Sequence, residues 1–479
     1  MKHPFALLCG LALTSVGLFT LGATAQQPAG SWSAALDREA ASTGKPAWRP
    51  MLTALARFHR IDTHAAQPPF AFPWEDIGPG YAYGPGFGHW DLADLAVDTV
   101  AAAPEHAREQ LLNDIRLQLP SGFLPGIYWM REGLPPADPA AVNPNDGRYS
   151  PTQSHPPLWV VAADDLLEVL RKRDGSYDRP LMAEFLGALE KQTAWFERAR
   201  KAQPDGFYYQ DIMTRQWESG VDDGIRFDGF VAGHPPAHNA CIDATSHVFL
   251  MYMLGARWQH ILGRDNHVFE ARAAHLRQFI QTALWNERDG FFYDAWTLDA
   301  HPDGPRSSWN KTAAPGRPHA FEGLWPVMVG AATPEQARRV RSEWMLNPAR
   351  FYTPHPIATV ALDDPLYSNR MWRGPVWNSM TYWAARGLVR YGYRAEAHEL
   401  LERALDDSAK QFDRTGKLWE YYSPVGGKPE ELTRKPYSTR NMPFDSYVGH
   451  DPLLAMTLLW EKTSGAGRAE RGRSISKVQ

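Results

Sequence analysis

The stretch Val248-Phe249-Leu250-Met251-Tyr252-Met253-Leu254-Gly255-Ala256-Arg257-Trp258-Gln259-His260-Ile261-Leu262 decides the fold class, because its large apolar side chains recur at helical spacing. Gly263 follows where a C-terminal glycine is expected. A second segment shows the same spacing at Leu181, Phe185, Leu189 and Phe196. Alternating runs of Val, Ile and Thr are scarce, so the sequence predicts an all-α protein.

Helical periodicity extends over most of the chain. We predict helices at 48–60, 89–103, 104–119, 157–172, 178–201, 239–263, 266–286, 319–332, 334–346, 374–392, 394–412 and 444–463. Several neighbours are joined by very short links, which is typical of helical hairpins. The long segments between hairpins are rich in Pro, Gly and aromatic residues, and we expect them to gather on one face that holds the active site.

Composition indicates one large helical domain at 46–463, flanked by a poorly ordered leader at 26–45 and a disordered basic tail at 464–479. The net charge of −4 gives no reason to expect a nucleic-acid partner. Trp is abundant, with 19 residues, and aromatic rings can stack on the apolar faces of sugars. For any single Trp, however, a place in the core is the more common role. No sequence pattern selects an oligomeric state.

The N-terminus has the pattern of a cleavable signal peptide at 1–25. Lys2 and His3 precede an apolar run, and Ala23-Thr24-Ala25 supplies a small-residue cleavage site. We therefore expect a periplasmic or secreted protein with no membrane association after cleavage. Only Cys241 would remain in the mature chain, which excludes an intramolecular disulfide.

The stretch Trp217-Glu218-Ser219-Gly220-Val221-Asp222-Asp223-Gly224-Ile225-Arg226-Phe227 places three carboxylates and an arginine around a glycine. Gly220 lets a loop turn so that Asp222 points inward. The neighbouring acids Glu218 and Asp223 would hinder ionisation of Asp222, as a proton donor requires. The alternative is a solvated acidic turn.

The run Glu218-Ser219-Gly220-Val221-Asp222 resembles the Glu-Ser-Gly-x-Asp motif of inverting glycoside hydrolases in the family 63 and trehalase group. That group includes mannosylglycerate hydrolase-like and glycogen-debranching-like domains. The resemblance implies that Asp222 is the general acid. A later run, Leu418-Trp419-Glu420-Tyr421-Tyr422-Ser423-Pro424, is similar to the family segment whose Glu is the general base, which implies that role for Glu420.

Four further stretches resemble the same family in the same order: Phe87–Asp91, Thr152–Pro157, His355–Pro365 and Met371–Trp377. The resemblance implies an (α/α)6 barrel, with six helices inside and six outside, and hydrolysis of a terminal α-linked glucose or mannose. It also implies a sugar pocket lined by Trp90, Asp91, Gln153, Trp217, Trp372, Arg373, Gly374, Trp377 and Tyr421.

The chain departs from the family pattern at three places near the expected sugar. Met371 stands where the family usually has Tyr, and Asp223-Gly224-Ile225-Arg226 replaces the common Asn-Ser-Pro-Arg. Ser154-His155 is an insertion in the family's Gln-Pro-Pro motif. These departures concern the identity of the substrate rather than the mechanism.

Other functions remain open at this point. The chain lacks a His-Glu-x-x-His motif, a Cys cluster and a phosphate-binding glycine loop, so we expect no metal and no cofactor. An α,α-trehalase is a close alternative. A polysaccharide lyase or sugar epimerase on the same barrel could use His234, His238 or Tyr209 as its base. An inactive sugar-binding protein would need neither Asp222 nor Glu420.

The signal peptide makes a direct prediction about the mature N-terminus. Mass spectrometry of the protein recovered from the native cell envelope or medium should find a chain that begins near Gln26. An intact Met1, or a lipid on Cys9, would contradict it.

Overall fold

The computed structural model describes residues 31–78, 85–130, 150, 152–203, 205–212, 214–226, 228, 236–296, 318–436 and 440–464. The predicted signal peptide and residues 465–479 of the predicted tail lie outside these ranges. The helices are α1 Ser31–Ser42, α2 Arg49–Ile61, α3 His89–Thr99, α4 Pro104–Arg116, α5 Trp159–Asp174, α6 Arg179–Ala199, α7 Ile242–Ile261, α8 His267–Ala283, α9 Trp325–Met328, α10 Pro334–Arg339, α11 Asn378–Arg390, α12 Arg394–Thr415 and α13 Leu453–Ser464.

Six helices form a closed inner ring. Helix α3 contacts α5, α5 contacts α7, α7 contacts α9, α9 contacts α11, α11 contacts α13, and α13 returns to α3. All 11 residues of α3 are buried, as expected of a helix that is covered on every side. This ring, with its outer layer, is the (α/α)6 barrel that the family resemblance implies.

The outer helices cover the ring on one side only. Helix α4 packs on α3 and α5, α6 on α7, α8 on α7, α12 on α11 and α13, and α2 on α12. In the 17-residue helix α8 only Ala273, Leu276 and Ile280 are buried, which is one narrow stripe. Among the described residues, no helix is both long and apolar enough to cross a bilayer.

Short antiparallel strand pairs lie in the long segments between helices. They are β1 Thr63–His64 with β2 Trp74–Glu75, β3 Gly86–Gly88 with β4 Ile127–Trp129, β5 Asn239–Ala240 with β8 Ala295–Trp296, and β6 Trp285–Asn286 with β7 Phe291–Phe292. In the pair next to α3, Phe87 lies opposite Tyr128. These pairs give the loops of the barrel face a hydrogen-bonded frame.

The leader prediction was wrong over Ser31–Ser42, which forms α1. Trp32, Leu36 and Ala40 recur at intervals of four and place one apolar stripe against the rest of the chain. Leu36 and Ala40 are fully buried, and the Trp32 ring stacks on His106 at 4.0 Å.

Two predicted helices are shorter than the periodicity indicates. At 319–332 the chain forms a 3-10 turn, Phe321–Leu324, and then only the four-residue α9. Pro326 has no N–H with which to continue the turn into one helix, and Gly330, with a φ of 79°, follows the end of α9. At 444–463 the helix begins at Leu453. Residue Pro452 precedes it, and Asp445 pairs with Trp419 in an extended bridge instead.

A buried network of charges joins α2, α3 and α4. His59 Nδ1 lies 2.6 Å from Glu75 and its Nε2 lies 3.0 Å from Asp98, while His106 contacts the other oxygen of Glu75 at 2.9 Å. Burial by itself would lower the pKa of His59, but the charge of Glu75 and hydrogen bonds to both acids raise it to about 10. Burial would likewise raise the pKa of Glu75, yet the two histidines lower it to about 2.

These shifts predict a pH window for stability. Because the pKa of His59 is raised, its contribution is complete below about pH 6.5 and is lost as the pH rises through about 10. Because the pKa of Glu75 is lowered, its contribution is complete above about pH 4.5 and is lost as the pH falls through about 2. Both contributions are therefore complete between about pH 4.5 and 6.5.

We expect His59→Leu to lower the free energy of unfolding at pH 6 by about 3–5 kcal/mol, because it removes the buried imidazolium that faces the carboxylates of both Glu75 and Asp98. The difference from the wild type should shrink at pH 10. Urea unfolding of the wild type and the variant at pH 6 and pH 10 measures this difference in the free energy of unfolding. Arg60→Gln is the control, since its pair with Asp37 is exposed and should be worth about 1 kcal/mol or less. An equal difference for His59→Leu at both pH values would contradict the network's role.

Candidate active site

The turn that carries Asp222 packs directly on the start of α3. Gly220 has a φ of 77°, and a Cβ there would lie 2.5 Å from Trp90 and 2.8 Å from His89. His89 Nε2 lies 3.3 Å from the Trp217 carbonyl oxygen. Only glycine allows this approach, so two stretches that are far apart in sequence form one wall of the site.

The two acids beside Asp222 have ion-pair partners of their own. Glu218 is fully buried and accepts hydrogen bonds from the Arg200 guanidinium, and Asp223 pairs with Arg370 at 2.8 Å. Each of the two acids therefore has a guanidinium partner. The sequence argument counted the acids and not these partners.

Glu420 lies on an extended segment beside the start of α11. Its backbone N–H donates to the Phe444 carbonyl at 3.0 Å, and the Phe444 N–H donates to its Oε2 at 3.1 Å. The Arg434 guanidinium donates to both carboxylate oxygens, with Nε 2.8 Å from Oε2. Glu420 is 2% exposed, so this charge-assisted pair is shielded from water.

Two adjacent basic residues join the two candidate catalytic carboxyls. Arg434 pairs with Glu420, and Lys435 forms an ion pair with Asp222. Both carboxyls are therefore ion-paired to one dipeptide. The charges of Asp222 and Glu420 also both act on the His450 imidazole.

His450 stands in an aromatic cage. Its ring centroid lies 5.5 Å from that of Trp90, 5.6 Å from Trp372 and 4.6 Å from Trp377. Trp372 and Trp377 stack in parallel at 3.9 Å, and Trp90 packs on Trp372 at 5.5 Å. Burial lowers the pKa of His450 despite the negative charges around it.

Asp91 holds the polar edge of this cage. His89 Nδ1 lies 3.0 Å from its carboxylate, His450 Nε2 lies 3.5 Å away, and the Tyr447 hydroxyl donates to it. Burial would raise the pKa of Asp91, but the charges of His450 and His89 and these hydrogen bonds hold it below its ordinary value. Asp91 is therefore a strong acceptor between α3 and the turn before α13.

Gln153 and Trp217 are placed by a shared partner. Asp211 accepts a hydrogen bond from Gln153 Nε2 at 2.9 Å and another from the Trp217 backbone N–H at 2.8 Å. The Trp217 ring faces Lys435, whose Nζ lies 5.9 Å from its centroid. Within the described residues, the buried indole N–H groups of Trp90, Trp217 and Trp377 have no hydrogen-bond acceptor.

Three other predicted sugar ligands use their polar groups within the protein. Arg373 donates to both oxygens of Asp228, at 2.6 and 2.7 Å, and to the Asp223 carbonyl at 2.8 Å. The Tyr421 hydroxyl donates to the Thr433 carbonyl at 2.9 Å. At Gly374 a Cβ would lie 2.4 Å from the Ser368 carbonyl oxygen, so this glycine is needed for loop packing. These contacts indicate that the three residues position loops.

The departures from the family pattern lie around this site. Met371 is buried, and its backbone N–H donates to the Thr433 carbonyl at 3.0 Å. His155 is fully buried with its ring 6.2 Å from His89. Burial, followed by the charge of His89, lowers the pKa of His155 to about 3, so the imidazole is neutral near pH 7.

One group of possible metal ligands occurs among the described residues, formed by Cys241, Asp243 and Asp294 with ligand atoms within 4.8 Å of one another. The Arg226 guanidinium pairs with both carboxylates at 2.7 Å. A guanidinium already supplies the positive charge that a cation would bring, so the group fits an ion-pair cluster.

The lyase or epimerase alternative gains no support from the described residues. The Tyr209 side chain is fully buried, and its hydroxyl lies 2.7 Å from His247 Nδ1. His238 lies in a short 3-10 turn, Pro236–His238, and His234 lies outside the described residues. The Tyr209 hydroxyl is thus used inside the protein.

Sequence reasoning missed Arg434, Lys435, Tyr447 and His450. Arg434 and Lys435 lie in a segment without helical periodicity. Tyr447 and His450 lie in the part of the predicted 444–463 helix that is not helical in the structure, and neither belongs to a motif that would mark it. The adjacent pair Arg434-Lys435, 14 residues after a candidate catalytic Glu, is the one signal that could have indicated partners for the acids.

Known proteins resemble this chain over most of its length. The mannosylglycerate hydrolase MGH1-like glycoside hydrolase domain matches residues 84–439. Mannosylglycerate hydrolase MGH2 of Selaginella moellendorffii is 23% identical over 392 residues, which are 71% of this chain and 75% of that protein. Mannosylglycerate hydrolase of Thermus thermophilus is 25% identical over 403 residues, 71% of this chain and 89% of that one.

A solved structure shows the same fold. The GH63 mannosylglycerate hydrolase of Thermus thermophilus, in complex with glucose, matches with a TM-score of 0.63 at 18% identity. The match covers 85% of this chain and 99% of that chain. The predicted (α/α)6 toroid is confirmed.

The contact between Gly220 and Trp90 predicts the effect of a single methyl group. Gly220→Ala should lose activity by about 10²-fold, because Trp90 or the Asp222 turn must shift to make room. Gly175→Ala is the control: Gly175 has a similar φ of 81°, but its Cβ would meet nothing within 4 Å. Thermal unfolding and hydrolysis rates of the two variants separate backbone strain, about 1–2 kcal/mol in both, from the clash. Wild-type activity in Gly220→Ala would contradict this arrangement.

Proposed function

The chain belongs to the mannosylglycerate hydrolase MGH1-like glycoside hydrolase family, and we propose that it is an inverting, exo-acting hydrolase of a terminal α-linked glucose or mannose. The substrate in this proposal is a small glycoside or oligosaccharide. We further propose, from the signal-peptide pattern, that it acts in the periplasm or outside the cell. The observation that carries the mechanism is the placement of Asp222 and Glu420 on one basic dipeptide beside an aromatic cage.

Inversion needs two carboxyl groups on opposite sides of the anomeric carbon, about 6.5–9.5 Å apart, so that a water fits beside the base. In this proposal Asp222 gives its proton to the leaving oxygen as the glycosidic bond breaks. Glu420 takes a proton from the water that attacks the opposite face. The two come from different loops, far apart in sequence, and meet through Lys435 and Arg434.

The cage around His450 supplies the surface for the sugar ring. The stacked indoles of Trp372 and Trp377 offer apolar faces, and Asp91 is an ionised acceptor for hydroxyl groups. Unpartnered indole N–H groups are donors for the same purpose, because a buried donor without an acceptor is costly unless a ligand completes it. This combination favours a catalyst over an inactive binding protein, since binding alone would not require both acids.

A substrate screen tests the proposal. Purified enzyme is incubated with α-linked disaccharides and glycosyl-glycerates, and NMR follows the anomer that is released first. We expect an α-glucoside or α-mannoside to give the β-anomer. A first product with the α-configuration would contradict inversion.

Asp222→Asn and Glu420→Gln should each lower kcat by at least about 10²–10⁴-fold, the usual contribution of a general acid or base. Glu431→Gln is the matched control and should keep wild-type activity, because Glu431 is exposed and lies on the same segment as Arg434. An α-glycosyl fluoride separates the two roles, because fluoride leaves with little need for a proton. Asp222→Asn should recover most of its activity with the fluoride and Glu420→Gln should not. Equal defects on both substrates would refute the assignment of acid and base.

A further inference from the structure

The positive charge of Lys435 lies next to Asp222, the proton donor of the proposed reaction. Its ammonium group forms an ion pair with Asp222, and both side chains are only 17–18% exposed. Water therefore screens the pair incompletely. A cation at this distance favours the ionised carboxylate, whereas a general acid must carry its proton at the start of each turnover.

We propose that Lys435 is a positioning residue that holds the Asp222 carboxyl group and sets the highest pH at which the enzyme is active. The inference rests on the proposed function, because it needs Asp222 to be the acid. Lys435 also has a favourable role in the step itself. When the proton moves from Asp222 to the leaving oxygen, a carboxylate forms, and the ammonium group stabilises that charge.

The backbone that delivers Lys435 is held firmly. The Thr433 carbonyl accepts hydrogen bonds from the Met371 N–H at 3.0 Å and from the Tyr421 hydroxyl at 2.9 Å, and the Thr433 N–H donates to Asn369 at 3.0 Å. Arg434 then pairs with Glu420, and its guanidinium lies 4.0 Å from the Phe444 ring. Because Thr433 and Arg434 are anchored, the next residue reaches Asp222 from a defined position.

Other titratable groups also face Asp222 in the described part of the chain, and they include Asp211 and His450. The buried Asp211 carboxyl has a raised pKa, first because of burial and then partly because of Asp222. Burial lowers the pKa of His450 against the raising effect of Asp91, Glu420 and Asp222. Lys435 is the cation that forms an ion pair with Asp222 itself.

The test is the pH dependence of kcat/KM, which reports groups in the unliganded enzyme. Activity falls at alkaline pH when the acid loses its proton. Lys435→Met removes the cation. The alkaline limb, which is the fall of kcat/KM at high pH, should therefore move to higher pH by about one unit or more. Lys435→Arg keeps the charge and should restore the wild-type position of the limb. Lys428→Met is the control, because Lys428 is an exposed lysine on the same segment, 58% exposed and paired with Glu431.

Two comparisons distinguish this role from a structural one. With an α-glycosyl fluoride, the alkaline limbs of Lys435→Met and the wild type should coincide, since no proton is donated. If Lys435→Met does not fold, as judged by thermal unfolding, Lys435→Gln takes its place. An unmoved alkaline limb in a folded variant would overturn the inference and leave the proposed function intact. A retained anomer, or full activity in Asp222→Asn, would overturn the proposed function instead.

Discussion

The Arg226 guanidinium is the interaction on which the barrel face depends. It pairs with Asp243 in the first turn of α7, with Asp294 beside the strand pairs, and with Glu322 just before α9. Burial and the charges of the two aspartates raise the pKa of Glu322 to about 7, against the opposing effect of Arg226. Four residues after Asp222, one cation thus ties the turn that carries Asp222 to two neighbouring helices of the inner ring. Losing it would leave several carboxyls buried without a partner.

Buried ion pairs of arginine with carboxylates also hold other loops of the site in place. A loop has no helical hydrogen bonds of its own, so its buried polar groups need other partners. Arg200 fills this role for Glu218 on one side of Asp222, and Arg434 fills it for Glu420. Each pair is almost completely buried, which makes it expensive to break. The helices supply a stable ring, and the arginines determine where the loops lie on it.

This division explains what could be predicted from the sequence. Helices such as α7 and α12 have long apolar stripes, and their positions followed from spacing alone. The helix predicted over 319–332 was too long, because Pro326 separates the 3-10 turn from α9 and Gly330 follows the end of α9. At the site, motif resemblance led to Trp90 and Glu420, which the structure brings close to His450.

The functions of individual polar residues were harder to predict. Arg373 was expected to bind sugar, and three of its five N–H donors bond to Asp228 and the Asp223 carbonyl. Which group an arginine meets depends on tertiary contacts that no local pattern records. The same reason explains the change at Met371: its link to Thr433 uses the backbone N–H, so replacing the family's usual Tyr keeps the anchor and alters only the side chain. A backbone anchor of this kind lets a side chain in the wall of the site change while the segments that carry Asp222 and Glu420, the proposed acid and base, keep their positions.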